Sequence, residues 1–328
     1  MAKEFKTVGE LVGILESRGV VTDANTEAAI ERESYYAIVN GYKNPFLDRM
    51  AMETSPDDVF IESTRFEWMY DLFLFDRDLR MITFKYLTRA EAVMRTAIAY
   101  AFCEAHREQD AYLDRANFCK PDDYLVPRAF KGNKAAQQRE NLSRLMKTLN
   151  GKLAINSKSR DFIRHYVNKH GSVPLWVLAN DMTFGNVVHF YQLMQPADRR
   201  HVCTIVARVT RRHPKEDGFL SERYLLRSTT VLNDFRNYCA HDERLYCAKS
   251  GNASFSTMTA RLSDLLPKDE FKQFLEELAA LHVGYSERLH GMEFRDLLAE
   301  MGFPMEEIER DSENGKQRGN KRANPAKS

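Results

Sequence analysis

Apolar residues recur along this chain at spacings of three and four, the period of an amphipathic helix. No stretch shows the alternation of two that a half-buried strand requires. Val8, Leu11, Val12, Ile14 and Leu15 predict a helix over 7–18 that stops at Gly19. Thr22-Asp23 or Asn25-Thr26 offers an N-cap for a second helix running to about Asn40, broken by Gly41-Tyr42-Lys43-Asn44-Pro45. From Phe60 to about Arg107 the periodic residues are Phe66, Met69, Tyr70, Phe73, Leu74, Leu79, Ile82, Tyr86, Val93, Ile98 and Phe102. They predict two helices or one long bent one, with the aromatic stripe packed in a core. Gly171-Ser172-Val173-Pro174 and Thr183-Phe184-Gly185-Asn186 mark further breaks, on either side of Trp176. Leu225, Leu232, Phe235 and Cys239 predict one helix over about 220–241, and Leu275, Leu278 and Leu281 at least one more within 262–290. The fold class is therefore all-α.

At 328 residues the chain can form one large domain or two modest ones. Its 43% apolar and 29% charged residues are ordinary for a globular protein, and the formal charge is only +1. Basic character is local. Between Lys120 and His170 stand twelve Lys and Arg residues against four acids, among them Lys131, Lys134, Arg139, Arg144 and Lys147. Arg199, Arg200, Arg208, Arg211, Arg212 and Lys215 follow. Such a concentration can track a phosphate backbone or can be solvated helix face. Five scattered cysteines without a C-x-x-C pair, a polar N-terminus and no long apolar run point to a reducing cytoplasm and no membrane span. His165, His170, His189, His201 and His213 show no metal-ligand spacing, and no cofactor motif is present. The polar tail, 306–328, is expected to be disordered.

The candidate chemistry lies at Arg236-Asn237-Tyr238-Cys239-Ala240-His241, followed by Arg244-Leu245-Tyr246. Arg236 can hold a phosphate by charge-assisted hydrogen bonds. His241 can move protons near neutral pH. On a helix the two lie about 140° apart, whereas Asn237 and His241 share a face. If the helix ends near Ala240, His241 can turn toward Arg236, with Asn237 orienting the imidazole and Arg244 adding charge. RNA cleavage needs little more, because the ribose 2′-OH is an internal nucleophile and the protein supplies proton transfer and positive charge. One such site holds a single His, so a two-fold dimer that brings two sites together would supply a second acid or base. Glu91 and Arg95, four apart on a helix, read as an exposed ion pair or as a buried network supporting the site.

Four regions together resemble the Abi-like (abortive infection) family of bacterial phage-defence proteins with a HEPN-type ribonuclease domain. These are Ser34-Tyr35-Tyr36 to Gly41-Tyr42; Leu72 to Arg80 with Ala90 to Thr96; Trp176 with Thr183-Phe184-Gly185; and Arg236-Asn237 to His241 with Arg244-Leu245-Tyr246. The resemblance covers roughly residues 5–290. It departs at Cys247, where the family often has Asn. It implies a HEPN-like helical bundle with additional N-terminal and inserted helices. Its expected parts are an N-terminal helical part (1–118), a basic RNA-binding insertion (119–170) and C-terminal helices carrying Arg-x4-His (171–305). It further implies a metal-independent endoribonuclease, toxin-like and cytoplasmic, with Arg236, Asn237 and His241 catalytic. RNA would be its substrate, and an antitoxin or phage trigger is left open. A non-catalytic RNA-binding module, or a scaffold in which the Arg-His cluster is structural, are the alternatives.

Overall fold

The structure, a computed structural model, describes residues 4–126, 132–211, 220–289 and 294–304, with the side chains of 155–159 and Phe294 excluded. Twelve α-helices are described: α1 (Val8–Ser17), α2 (Thr26–Glu33), α3 (Phe66–Ala105), α4 (Lys134–Ser159), α5 (Asp161–His170), α6 (Leu175–Leu178), α7 (Phe184–Leu193), α8 (Pro196–Val209), α9 (Glu222–Ala240), α10 (Phe255–Leu262), α11 (Lys268–Tyr285) and α12 (Phe294–Glu300). No strand occurs among the described residues, only isolated bridges such as Val21 with Arg65. The expected all-α class holds.

The 60–107 region is a single helix. It contains no Gly or Pro from Phe66 to Ala105, so nothing interrupts its 40 residues, about 60 Å of rise. α3 is the spine of the molecule: α7, α8, α9 and α11 all pack on it. Its buried face includes Met69, Leu72, Leu79, Tyr86, Leu87, Met94 and Phe102. Polar Asp76, Arg80 and Glu91 are buried in phase with that stripe. α9 lies against α3, flanked by α7 and α10. α4 packs on α5 and α7.

Two sequence expectations shift. The second helix stops at Glu33, because Ser34 takes a left-handed φ of 70°; a π-turn over Tyr36–Asn40 follows. The helix expected within 262–290 is α11, which starts directly after Pro267, while α10 ends at Leu262. On α11 Leu275 is exposed, and Phe271, Phe274, Leu278, Leu281 and Tyr285 face the core instead. Phe274, Leu278, Leu281 and Tyr285 centre the packed stripe roughly 90° around the helix from Leu275, which leaves Leu275 outside it.

The landmarks near 183 are structural. Thr183 caps α7 through a reciprocal capping box with Asn186, and Phe184 is fully buried.

Candidate functional site

The last turn of α9 carries Arg236 and Asn237, and His241 is its C-cap, with His241 N–H donating to the Asn237 carbonyl at 2.9 Å. Asp242 follows in the left-handed region, φ 58°, and Glu243 N–H returns to the Tyr238 carbonyl at 2.9 Å. This is the Schellman ending that usually calls for glycine. Asp is present instead because its carboxylate is used: Asp242 Oδ1 lies 2.5 Å from Arg80 Nη2.

Arg80 belongs to a buried clamp that the sequence reading did not assign. Its side chain is 3% exposed and donates through Nη1 to Asp76 at 2.8 Å, to the Tyr42 hydroxyl at 3.1 Å and to the Glu243 carbonyl at 3.4 Å. Asp76, wholly buried, also accepts from Tyr42 Oη at 2.7 Å, Leu245 N–H at 2.9 Å and Tyr246 N–H at 2.8 Å. Burial pushes the Asp76 carboxyl upward, against the pull of Arg80 and the two amides. Burial, then Asp76 itself, drive the Tyr42 phenol well above its ordinary range. The segment after His241 is thus tied to the spine helix by its own backbone. The available signal was Asp76 and Arg80, four apart and in phase with buried Phe75 and Leu79.

Arg236 faces α3. Its Nε lies 3.3 Å from Glu91 Oε2, an ion pair without hydrogen-bond geometry, and its guanidinium stacks 5.7 Å from the Phe84 ring centre. Arg95 donates to the other Glu91 oxygen at 2.7 Å. Glu91 is 5% exposed, so it is a buried acid between two arginines, the network form of the two Glu91–Arg95 alternatives. Arg236 is 25% exposed and donates from Nη1 to Asn237 Oδ1 at 3.5 Å; its Nη2 has no partner among the described residues. Asn237 therefore serves Arg236, and its side chain makes no bond to His241. The His241 side chain is exposed and without a partner among the described residues. Cys239, between them in the chain, is buried enough to push its thiol up to about 12.

The basic residues divide. Arg244 donates from Nη1 to the Gly41 carbonyl at 2.9 Å and keeps an exposed side. Lys134 is exposed, with Nζ donating to the Asp122 carbonyl at 2.6 Å, and Arg144 pairs with Glu140 at 2.8 Å. Arg139, Lys147 and Arg211 are exposed without partners among the described residues. Arg139, Arg144 and Lys147 are exposed on α4, a helix that packs on α7, which in turn packs on α9. Arg199, counted among the basic residues, is 2% exposed and spent inside, donating to Glu222 and to the carbonyls of Met194 and Asp123. Lys131 and Arg212 lie outside the described residues, as do Arg128, His213, Lys215 and the 306–328 tail. Among the described residues no group of three or more His, Cys, Asp or Glu is placed to hold a metal ion, and no helix is long and apolar enough to cross a membrane.

The family model described as Abi-like protein matches residues 28–247. The chain belongs to the Abi-like protein family. The match opens within α2 and closes just past the clamped segment, so α1 and α10–α12 fall outside it. No curated protein and no solved structure matches the chain significantly.

Proposed function

We propose that this Abi-like protein is a cytoplasmic endoribonuclease of phage defence, of HEPN type, in which Arg236 and His241 act on one RNA phosphodiester. The observation that carries this reading is the end of α9. A braced arginine and an exposed histidine, whose Nη2 and imidazole have no partner among the described residues, share one helix end whose exit is fixed by buried bonds.

The 2′-oxygen attacks the adjacent phosphorus, and the P–O5′ bond breaks. A 2′,3′-cyclic phosphate and a 5′-hydroxyl remain. Arg236 binds the non-bridging oxygens and stabilises their growing charge. The His241 imidazole takes the 2′-OH proton or delivers one to the leaving 5′-oxygen. One histidine does only one of these at a time. A second copy of the chain across a two-fold axis would supply the other, and would make the active form a homodimer. Neither role calls for a metal or cofactor. Asn237 orients Arg236, and Arg244 is an RNA contact at the same end. Lys134, Arg139, Arg144, Lys147 and Arg211 would hold more distant phosphates.

Incubating wild type, Arg236→Ala and His241→Ala with bacterial RNA in EDTA tests this, with product ends mapped. Wild-type cleavage leaving cyclic phosphate ends, reduced about 10²–10⁴-fold in His241→Ala, is the expected result. Full cleavage by His241→Ala would remove it from the mechanism. RNA binding with no cleavage by any form, also when expressed during phage infection, would leave a binding module.

A further inference from the structure

A cleft of about 470 Å³ is lined by Tyr36, Asn40 and Tyr42 from the segment after α2 and by Tyr238, Arg244 and Lys249 from the end of α9 and beyond. Asp242, the chain neighbour of His241, also lines it, and His241 itself does not. We infer that this cleft is a nucleotide subsite for single-stranded RNA, in which Tyr36 stacks on a base, Asn40 reads its edge and Lys249 with Arg244 holds the adjoining phosphate.

Three side chains on its walls, Tyr36, Asn40 and Lys249, make no bond among the described residues. Tyr36 is 77% exposed and makes no ring contact or hydrogen bond among the described residues. A large aromatic residue left in water costs apolar hydration, and a stacking partner would recover it. The Asn40 amide and the Lys249 ammonium likewise have no partner among the described residues. Tyr36 and Asn40 are the two ends of the π-turn, a rare element that tends to occur at functional sites. That turn brings both residues to one wall.

Two cations in the lining are available to an anionic ligand. Arg80 is shared between buried Asp76 and exposed Asp242, so Asp242 is only partly offset. Arg244 and Lys249 stand against Asp242 and Glu243 in the lining, and Lys249 has no partner among the described residues. A cleft of this volume takes one nucleotide rather than a duplex. An aromatic platform beside cations is the usual way to hold unpaired bases without strict sequence demand.

The choice of ligand rests on the ribonuclease reading, so the test separates the two. The probe is a fluorescently labelled, 2′-O-methylated RNA hexamer, which lacks the attacking hydroxyl and is bound but not cut. Its affinity for the full chain is measured by anisotropy across a salt series, together with cleavage of the matching unmodified hexamer. Tyr36→Ala should weaken hexamer binding at least about tenfold, and Tyr36→Trp should retain it. Lys249→Ala should weaken binding and lower the salt slope by about 0.7. His241→Ala should bind as wild type does. A labelled duplex should be indifferent to Tyr36. Hexamer affinity unchanged in Tyr36→Ala, or no hexamer binding by wild type, overturns the subsite and leaves the cleft to another occupant such as a protein segment. Tyr36-dependent binding without cleavage, in the purified chain and during phage infection alike, keeps the subsite and rejects the nuclease. Cleavage with Tyr36-independent binding does the reverse.

Discussion

The end of α9 and the outer face of α4 both look like places for RNA, and they are built in opposite ways. At α9 Arg236 and the backbone after His241 are braced by buried groups on the spine helix, Glu91 under Arg236 and Asp76 with Arg80 under residues 242–246, while the His241 side chain stands in water. On α4 the cations stand in water, and two of them are spent locally, Lys134 on Asp122 and Arg144 on Glu140. Orientation is fixed in the first region, and only charge is supplied in the second. Proton transfer depends on placement at the scale of an ångström, whereas phosphate attraction is long-ranged and tolerant. On the proposed function, the contrast places chemistry at α9 and general attraction at α4.

The sharpest way to break that contrast is to cut the clamp. Arg80→Ala removes the cation beside a fully buried carboxylate, and Asp76 is left with only hydroxyl and amide donors. Breaking one side of a buried pair costs about 3–5 kcal/mol. Urea unfolding should show a loss of this size. Replacing both residues by Asp76→Leu with Arg80→Met should not restore it, because the Leu245 and Tyr246 amides would then be buried without acceptors. A cost under about 1 kcal/mol for Arg80→Ala would mean that the segment is held by packing alone.

The sequence displayed this difference unevenly. The helices were readable because their buried stripes repeat, as in Leu225, Leu232 and Phe235, all fully buried. So was the Arg236–His241 string, since residue types alone suggest its chemistry. The clamp was not, because Asp76 and Arg80 look like an ordinary helical ion pair. Their buried acceptors and donors come from residues 42 and 242–246, far away in the chain. The break at Ser34 was hidden for a related reason: nothing in Glu33-Ser34-Tyr35 demands a left-handed residue. The same limit made Arg199 look like surface charge, although its guanidinium reaches three carbonyl groups inside the protein.

A smaller effect is expected beneath Arg236. Glu91→Gln keeps the shape but removes the charge shared by Arg95 and Arg236. Hydrogen bonds to charged groups are worth about 1.5–3 kcal/mol, and the partial exposure of both arginines argues for the lower end. Thermal unfolding should register that loss. Cleavage should fall further than stability does, because Arg236 loses the brace that aims it. If Glu91→Gln were destabilised yet cleaved RNA at the wild-type rate, the brace would serve the fold alone.

The smallest structural effect should come from α4. Arg139, Arg144 and Lys147 are exposed, and the Arg144–Glu140 pair at 2.8 Å is open to solvent on both sides. Solvent-exposed pairs of this kind contribute little, so the triple alanine variant should unfold at the wild-type temperature. Its RNA binding should change in a specific way. Removing one cation that neutralises a phosphate of a single strand lowers the slope of log affinity against log salt by about 0.7, so removing three would lower it by about 2. The maximal cleavage rate at saturating RNA should not move, because these exposed residues brace nothing at the end of α9. A salt slope equal to that of wild type would make the α4 face ordinary solvated surface. A fall in the saturated rate would mean instead that α4 helps to set the geometry of the cut, and the division between braced chemistry and loose attraction would then be wrong.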